Sequence, residues 1–487
     1  MGYVRTVTNH SADPVHGLNE RAGQEPAMPN HMFPRFKGLK ALRAVGGDGP
    51  YVIAENGRRY LDACGGAAIS CLGHRMDRVS TAIANQAREL AYTHPAFFTT
   101  RAAEDLADEL IDGAPAGLTR VFFGCGGSEQ MDGTLKMARQ YCVDKGEPRR
   151  TRFIARRQSF HGNTLGALSV GGHLARREPY LPILADAIHV SACNAYRGPT
   201  AGETPATYGA RLAGELDAAI RAAGPETIIA FVAETVVGAA AGALTPVPGY
   251  FRAVREICNR YGILLILDEV MCGMGRCGAR YACLDEDVAP DLLVVAKGLG
   301  AGFQPISATL VSETICDTIM SGRGFFQHGH SYMAHAVACA AALEVQRVIR
   351  DDRLLDNVRV QGARLEQGLR RAFGDHPAVG DIRGRGLLLA MEFVADKATR
   401  ASFAPDHAIW MRLLLAGLRH GIMCYPSQGT ADGKTGDHVL LAPPFNASGD
   451  DIDEIVARLK MAIDDTFERL DRPLTDILAE HNMHAAA

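Results

Sequence analysis

The sequence predicts an α/β fold with a large, mainly parallel-sheet domain and a smaller α+β domain. The first observation is that short apolar runs alternate with amphipathic helical patterns over most of the chain, which is typical of βαβ units. The second is that this alternation ends near residue 340. We therefore assign residues 76–340 to the large domain and residues 341–487 to the small domain. Residues 1–75 are expected to form an N-terminal segment that packs with the small domain.

Five apolar runs of strand length predict the large sheet. They lie at residues 120–123, 152–155, 228–233, 263–267 and 292–296. The helical patterns between them lie at residues 131–143, 208–223 and 251–261. A helix between two strands carries the chain back to the starting edge of the sheet, so we expect these runs to pair in parallel.

The segments outside the large domain follow a different order. After a helix of small residues at 333–348, the pattern predicts strands at 387–393 and 438–441 and helices at 407–420 and 452–470. Near the N-terminus, residues 49–62 predict a hairpin with an Asn56-Gly57 turn between two short runs. We expect this hairpin to pack with the smaller domain or to bridge the two domains.

The composition excludes several classes of function. The chain has 487 residues and is 47% hydrophobic, so it can bury a large core. It has 51 Lys and Arg against 55 Asp and Glu without a long block of like charge, so neither nucleic acid nor a membrane is an expected partner. Its 12 cysteines form no CxxC pair, which favours buried reduced thiols in a cytoplasmic protein over disulfides or a metal site. Residues 1–30 are polar and are interpreted as a cytoplasmic leader.

Ligands of open parallel sheets bind beyond the carboxyl ends of the strands, so the residues there are the candidates for chemistry. The first run leads into the motif GCGGSE at residues 124–129, directly before a predicted helix. Glycine lets the backbone approach an anion, and a helix N-terminus offers free N–H groups, so Gly127 and Ser128 are candidate phosphate ligands. The alternative is a tight turn in which Ser128 is the N-cap of the helix.

Two other runs end in charged residues. Asp268 follows an apolar strand, where a carboxylate is costly unless it faces a cation; a structural salt bridge or a helix cap is the alternative. Lys297 follows the next run and precedes a glycine-rich segment, which is a suitable place for a partly desolvated, nucleophilic amine. The alternative is an ordinary lysine that extends to solvent.

Together these features match what pyridoxal phosphate requires of a protein. The cofactor needs a lysine for its aldehyde, an acid beside its ring nitrogen, an anion site for its phosphate and a flat partner for its ring. Phe160, in the motif SFHG after the second run, supplies an aromatic ring for offset stacking. A β-branched residue such as Val270 fits the opposite face of the cofactor ring.

The motifs at the strand ends resemble those of the class III aminotransferases, which are fold type I pyridoxal-phosphate enzymes. The most distinctive motifs are LILDEV at 265–270, GMGRCG at 273–278, PDLL at 290–293 and AKGLG at 296–300. The resemblance extends from about residue 34 to about residue 470. It implies these roles: a Schiff base with the cofactor for Lys297, contact with the pyridine nitrogen for Asp268, phosphate binding for Gly127 and Ser128, and ring contacts for Phe160 and Val270.

The resemblance also implies a homodimer with active sites at the subunit interface. In this family a hydroxyl reaches the phosphate bound by the neighbouring subunit, and the motif GHSY at residues 329–332 has Ser331 where threonine is usual. The alternative role of Ser331 is N-cap of the helix that follows. Glu234, after the third run, matches a family glutamate near the cofactor. The pairs His161-Gly162 and Gly73-His74 match as well, with less defined roles.

Three departures from the family pattern bear on function. The phosphate loop reads GGSEQ at 126–130 where SGSEA is usual, which removes one hydroxyl and places Gln130 in the helix. Members that use 2-oxoglutarate carry an arginine just before an Ala-Pro-Pro, and here that position is Leu440, so a bidentate carboxylate clamp is missing. Amine transaminases carry a mobile arginine shortly before a Gly-Asp-His, whereas this chain has a glycine-rich insertion at 429–436. Lys434 or an arginine elsewhere is a candidate substitute.

We therefore expect a ping-pong aminotransferase that moves an amino group from an amine or omega-amino acid to an oxo acid, with pyruvate favoured as acceptor. Lys297 is the expected acid and base of the proton shift. The alternatives are a decarboxylase, an aminomutase or a racemase on the same fold, or a 2-oxoglutarate-dependent aminotransferase. A noncatalytic binding protein is a further alternative, against which the intact Lys297 and Asp268 argue. A Rossmann dehydrogenase is not expected, because no GxGxxG follows the first strand.

Overall fold

The computed structural model describes residues 31–484, and the leader predicted at residues 1–30 lies outside this range. The strands are β1 (Ala44–Asp48), β2 (Tyr51–Ala54), β3 (Arg59–Asp62), β4 (Leu118–Gly124), β5 (Arg152–Arg156), β6 (Ala187–Val190), β7 (Ile228–Glu234), β8 (Leu264–Asp268), β9 (Leu292–Val295), β10 (Ser307–Ser312), β11 (Val379–Arg385), β12 (Leu388–Phe393), β13 (Ile422–Met423), β14 (Tyr425–Gln428) and β15 (Asp437–Leu441). The helices are α1 (Gly65–Ala68), α2 (Asp77–Glu89), α3 (Arg101–Ile111), α4 (Gly127–Asp144), α5 (Leu165–Val170), α6 (Leu174–Arg177), α7 (Pro205–Ala223), α8 (Tyr250–Tyr261), α9 (Glu313–Ser321), α10 (Ala336–Asp351), α11 (Leu354–Phe373), α12 (Ile409–Arg419), α13 (Gly449–Glu468) and α14 (Leu474–His484).

The large sheet has seven strands in the order β4, β10, β9, β8, β7, β5, β6. Strands β5 to β9 pair in parallel, whereas β10 runs antiparallel to both β4 and β9. The predicted mainly parallel sheet is therefore confirmed, and the five predicted runs correspond to β4, β5, β7, β8 and β9. Strands β6 and β10 were not predicted. Because all strands except β10 point the same way, their carboxyl ends share one edge of the sheet.

Helices cover both faces of this sheet because its central strands are apolar on both faces. Every residue of β7, β8 and β9 is buried, which explains their continuous apolar runs. Phe231 and Leu265 pack on one face with residues of α3, α7, α8 and α10. Val232 and Ile266 pack on the other face with residues of α4, α5 and α9. This three-layer packing holds the strand ends in fixed positions at one edge.

A second core lies in the C-terminal part of the chain. Its antiparallel sheet has the order β11, β12, β15, β14 and packs in one apolar cluster with α11, α12 and α13. The elements predicted at 387–393, 407–420, 438–441 and 452–470 correspond to β12, α12, β15 and α13. Strands β11 and β14 were not predicted. The helix predicted at 333–348 is α10, which begins three residues later, at Ala336.

The predicted N-terminal hairpin is present and belongs to a separate four-stranded sheet. Strands β2 and β3 pair around the Asn56-Gly57 turn, with Val52 opposite Tyr60. Strand β1 pairs with β2 on one side, and β13 pairs in parallel with β3 on the other. The sheet therefore joins the start of the described chain to a strand from its C-terminal part.

Two further findings concern membrane-spanning helices and metal sites. Within residues 31–484, no helix is long and apolar enough to cross a membrane. In the same range, no group of three or more His, Cys, Asp or Glu side chains is placed to hold a metal ion. All of the cysteines are free thiols, and most of them are buried.

Candidate active site

The polar residues predicted at the strand ends meet around a cavity of about 430 Å³ at one edge of the large sheet. Glu234 ends β7, Asp268 ends β8 and Lys297 comes two residues after the end of β9. Glu234 and Asp268 are paired across neighbouring strands, so their side chains are held at the same level of the sheet. The cavity is lined by these three residues and by others that include Gly126, Gly127, Ser128, Phe160, His161, Val270, Ala296 and Ile306.

Lys297 lies in a strained turn at the cavity wall. Its backbone φ is +43°, in the left-handed region, at the start of the short 3₁₀ helix Lys297–Leu299. Burial lowers the pKa of the Lys297 ammonium from 10.5 to about 8, although the carboxylates of Asp268 and Glu234 favour the charged form. An appreciable fraction of this amine is therefore uncharged near neutral pH, as a nucleophile or base requires.

Asp268 is held by hydrogen bonds to both of its oxygens. Oδ1 accepts a hydrogen bond from the Val270 N–H at 2.9 Å, and Oδ2 lies 2.8 Å from Nδ1 of His161. Asp268 and His161 are both buried. The adjacent Glu269 is engaged outside the cavity, since its carboxylate accepts from the Ala282 N–H at 2.7 Å. Asp268 is thus the carboxylate of this pair that faces the cavity, and His161 orients it.

The Glu234 carboxylate accepts hydrogen bonds from two loops at the end of β7. Its Oε2 accepts a hydrogen bond from the Phe160 N–H at 3.1 Å, and its Oε1 accepts from the Gly238 N–H at 2.9 Å. Burial raises the pKa of the Glu234 carboxyl, and the nearby His161 opposes this. The carboxyl group therefore holds the backbone that carries Phe160 against the cavity.

The loop between β4 and α4 has the geometry of an anion site. Helix α4 begins at Gly127 with Gly126 as its N-cap, so its first N–H groups lie at the cavity edge. The alternative in which Ser128 is the N-cap is wrong, because Ser128 lies inside the first turn and its Oγ accepts from the Asn163 N–H at 3.1 Å. A Cβ at position 127 would lie 2.9 Å from Cγ1 of Val270, so this packing requires glycine.

Two side chains suited to flank a flat ring, Phe160 and Val270, line the same cavity. The guanidinium carbon of Arg176 lies 4.7 Å from the centroid of the Phe160 ring. No motif or strand end marks Arg176 in the sequence. The structure nevertheless places its positive charge next to a residue of the cavity wall.

Ser331 does not line this cavity. It is exposed in the turn that precedes α10. The alternative in which it caps α10 is wrong, because the N-cap of α10 is His335. The Ser331 hydroxyl is therefore available at the surface and takes no part in the site of its own chain.

Leu440, where the family resemblance led us to look for an arginine, lies behind an apolar part of the cavity wall. Leu440 is fully buried in a cluster with Ala239 and Met271, both of which line the cavity. The glycine-rich insertion forms a closed loop between β14 and β15, in which the Gly429 N–H donates to the Gly436 carbonyl at 2.8 Å. Lys434 is exposed in this loop and does not line the cavity. No guanidinium faces the cavity at these two places.

The set of groups around the cavity fits pyridoxal 5′-phosphate. A lysine with a lowered pKa, a buried carboxylate oriented by a histidine, a glycine-rich helix N-terminus and an aromatic ring all belong to one lining. Groups of these kinds are what the aldehyde, the ring nitrogen, the phosphate and the ring of this cofactor need. The fold and the site together define a pyridoxal-phosphate enzyme.

Comparison with known proteins assigns the family. The family model described as aminotransferase class-III matches residues 38–463. An aminotransferase of Gibberella zeae is 46% identical over 89% of this chain and 86% of its own length, and the chloroplastic gamma aminobutyrate transaminase 3 of Solanum lycopersicum is 36% identical over 89% and 82%. An (S)-enantioselective omega-transaminase from Thermomicrobium roseum has a similar structure, with a TM-score of 0.84, 34% identity and coverage of 90% of this chain and 96% of that chain. The chain belongs to the class III aminotransferases, and its cofactor is pyridoxal 5′-phosphate.

Proposed function

We propose that this aminotransferase moves an amino group from an amine or omega-amino acid to an oxo acid, with pyruvate preferred over 2-oxoglutarate, in a ping-pong reaction. The observation that carries the proposal is the apolar wall of Ala239 and Met271 with Leu440 buried behind it, because the second carboxylate of a dicarboxylic acceptor finds no guanidinium there. Pyruvate has no second carboxylate to place against Ala239 and Met271. The names of the Thermomicrobium and Solanum relatives support donors of this kind.

We assign two roles to Lys297. It holds the cofactor, and it transfers the proton of the donor's amine-bearing carbon. Bound pyridoxal 5′-phosphate supplies an aldehyde that takes up the donor's amine and a ring that accommodates the negative charge left when a C–H bond breaks. With the donor in the cavity, Lys297 Nζ would accept the proton of the amine-bearing carbon. Its pKa of about 8 lets the same nitrogen return a proton in the half reaction with the oxo acid.

The remaining contacts are assigned from the same lining. We assign to the Asp268 carboxylate, which His161 orients at 2.8 Å, the contact with the ring nitrogen of the cofactor. The negative charge of the carboxylate keeps that nitrogen protonated. We assign phosphate binding to Gly127 and Ser128, the two ring faces to Phe160 and Val270, and the positioning of the Phe160 backbone to Glu234.

We infer a homodimer in which Ser331 of each chain binds the phosphate held by the other. Ser331 and Tyr332 are exposed, and Tyr332 forms an edge-to-face pair with the exposed Tyr92 at 6.0 Å. Exposed aromatic groups next to a hydroxyl of this kind are typical of an interface. Ser331→Ala should weaken cofactor binding without a change in the fold. A holoenzyme that is monomeric at all concentrations contradicts the inference.

The role of Lys297 is tested by trapping the cofactor with borohydride and by substitution of the lysine. Borohydride reduction of the wild-type holoenzyme should attach the cofactor to Lys297, and mass spectrometry of the peptides locates it. Lys297→Ala should lose steady-state transamination yet still bind the cofactor noncovalently. The matched control is Lys434→Ala, an exposed lysine outside the cavity, which should retain full activity. Steady-state transamination retained by Lys297→Ala would refute the assignment.

The substrate class is tested with pyruvate and 2-oxoglutarate side by side, using one amine donor. A clear preference for 2-oxoglutarate would contradict the proposal that the apolar wall near Leu440 disfavours dicarboxylic acceptors. Parallel lines in double-reciprocal plots identify the ping-pong order, and intersecting lines exclude it. Release of carbon dioxide would identify a decarboxylase, and product formation without net exchange of amino groups would identify an aminomutase or racemase.

A further inference from the structure

A substrate carboxylate needs a cation near the cavity, and several nearby guanidinium groups are already engaged. Arg156, Arg276 and Arg383 each donate to a backbone carbonyl oxygen. Arg156 and Arg276 are also fully buried, so neither is free to reach a substrate. Because Leu440 is apolar and buried behind the cavity wall, a cation for the carboxylate has to come from another residue.

Arg176, on the short helix α6, is differently placed. Its guanidinium carbon lies 4.7 Å from the centroid of the Phe160 ring, and Phe160 lines the cavity. The side chain is partly exposed and, within residues 31–484, forms no ion pair or hydrogen bond. A contact with an aromatic face is weaker than a charge-assisted hydrogen bond, so this guanidinium is available to an anion.

Backbone hydrogen bonds on two sides fix the position of α6. The Gly172 N–H donates to the Ser159 carbonyl at 3.0 Å, next to Phe160, and the Ala175 N–H donates to the Gly433 carbonyl at 3.3 Å. A Cβ at Gly433, where φ is +89°, would lie 3.2 Å from the Leu174 backbone N, so the approach is close. The glycine-rich insertion therefore packs directly on the helix that carries Arg176.

The groups around Arg176 leave its charge uncompensated. Burial and the positive charge of Arg176 lower the pKa of His173, whose Nε2 lies 3.2 Å from the Gln428 carbonyl, so this imidazole stays neutral. The next arginine, Arg177, is engaged with the Ser169 carbonyl at 3.3 Å. Arg176 does not itself line the cavity, but its guanidinium lies on the ring of Phe160, which does. A planar, unpaired guanidinium at this position is suited to bidentate binding of a carboxylate.

We propose that Arg176 binds the carboxylate of amino-acid donors and oxo-acid acceptors and so determines how strongly the enzyme prefers substrates that carry one. The proposal rests on the aminotransferase function proposed above. Arg176 takes no part in the proton transfer, so a substrate without a carboxylate should not depend on it.

The test compares 4-aminobutyrate with butylamine as donors to pyruvate. These amines have the same chain length and differ in the carboxylate. With 4-aminobutyrate, Arg176→Ala should lower kcat/KM by about 10- to 150-fold, mostly through a higher KM, whereas with butylamine kcat/KM should change by less than about 2-fold. Arg176→Lys should recover part of the loss. The matched control, Arg177→Ala, should leave the ratio between the two donors unchanged.

A binding measurement without turnover completes the test. Butyrate, an unreactive carboxylate, is titrated into the holoenzyme while the cofactor absorbance is followed, and Arg176→Ala should weaken its binding by at least about 10-fold. Equal losses with both donors would show that Arg176 only positions Phe160 and would overturn the proposal. Unchanged butyrate binding overturns it too. If wild-type enzyme turns over neither donor, the proposed function fails, and the butyrate titration still decides the role of Arg176.

Discussion

Replacing Lys297 by methionine is expected to stabilise the cofactor-free protein. Methionine has a similar length and no charge, and it removes an amine whose pKa falls to about 8 beside the carboxylates of the site. The fall from 10.5 reflects the loss of water around the ammonium. At 1.36 kcal/mol per pKa unit, the charged amine costs the folded protein about 3 kcal/mol.

The effect depends on pH in a defined direction. Well below pH 8 most of the amine is protonated in both the folded and the unfolded chain, so nearly the full cost is present. Between about pH 8 and 10.5 the unfolded chain binds a proton that the folded chain does not, so the stability of the wild type rises with pH. Lys297→Met lacks this dependence, and its advantage should fall from about 3 kcal/mol at pH 7 to about 1.4 kcal/mol at pH 9.5.

The assay is urea unfolding of the cofactor-free proteins, followed by circular dichroism at both pH values and at one protein concentration. Lys434→Met, at an exposed lysine, is the matched control and should unfold like the wild type. A Lys297→Met protein that is no more stable than the wild type at pH 7 would contradict a destabilising charge at Lys297. So would an advantage that grows with pH.

Three further predictions concern the cofactor and the acceptor. Gly127→Ala brings a Cβ to 2.9 Å from Val270 Cγ1, and titration of the cofactor should show binding about 5- to 150-fold weaker; an unchanged Kd would argue against this packing. Asp268→Asn removes the charge paired with His161, and kcat should fall by about 100-fold or more; a kcat near that of the wild type would exclude an electrostatic role. Leu440→Arg puts a guanidinium next to Ala239 and Met271. The ratio of kcat/KM with 2-oxoglutarate to kcat/KM with pyruvate should therefore rise by about 10-fold or more. An unchanged ratio would show that this wall does not select the acceptor.

The central strands could be predicted from the sequence because burial on both faces leaves a continuous apolar run. Strands β7, β8 and β9 have this property over their whole length. Strand β10 reads SATLVS and β14 reads YPSQ, with hydroxyl side chains and a proline in place of such a run. These two segments are strands because their neighbours supply hydrogen bonds, and local sequence does not determine that.

The meeting of Glu234, Asp268 and Lys297 was predictable because consecutive parallel strands end at the same edge. The contact of His161 with Asp268 was not, since it joins residues 107 positions apart through the path of a loop. Arg176 lies on Phe160 for the same kind of reason. Loop paths depend on packing between distant segments, and the spacing of motifs does not contain that information.

The pairing of β3 with β13 sets an order for the synthesis of this chain. Arg58, beside β3, donates to the Arg419 carbonyl, 361 residues further along, and Leu61 pairs with Ile422. At about 5 to 20 residues per second, roughly 20 to 70 s separate the emergence of the two partners from the ribosome. Throughout that interval the outer edge of β3 is open to other nascent chains. A message truncated before codon 422 would therefore yield a chain whose first hairpin never closes its sheet, which makes aggregation of incomplete chains the expected consequence.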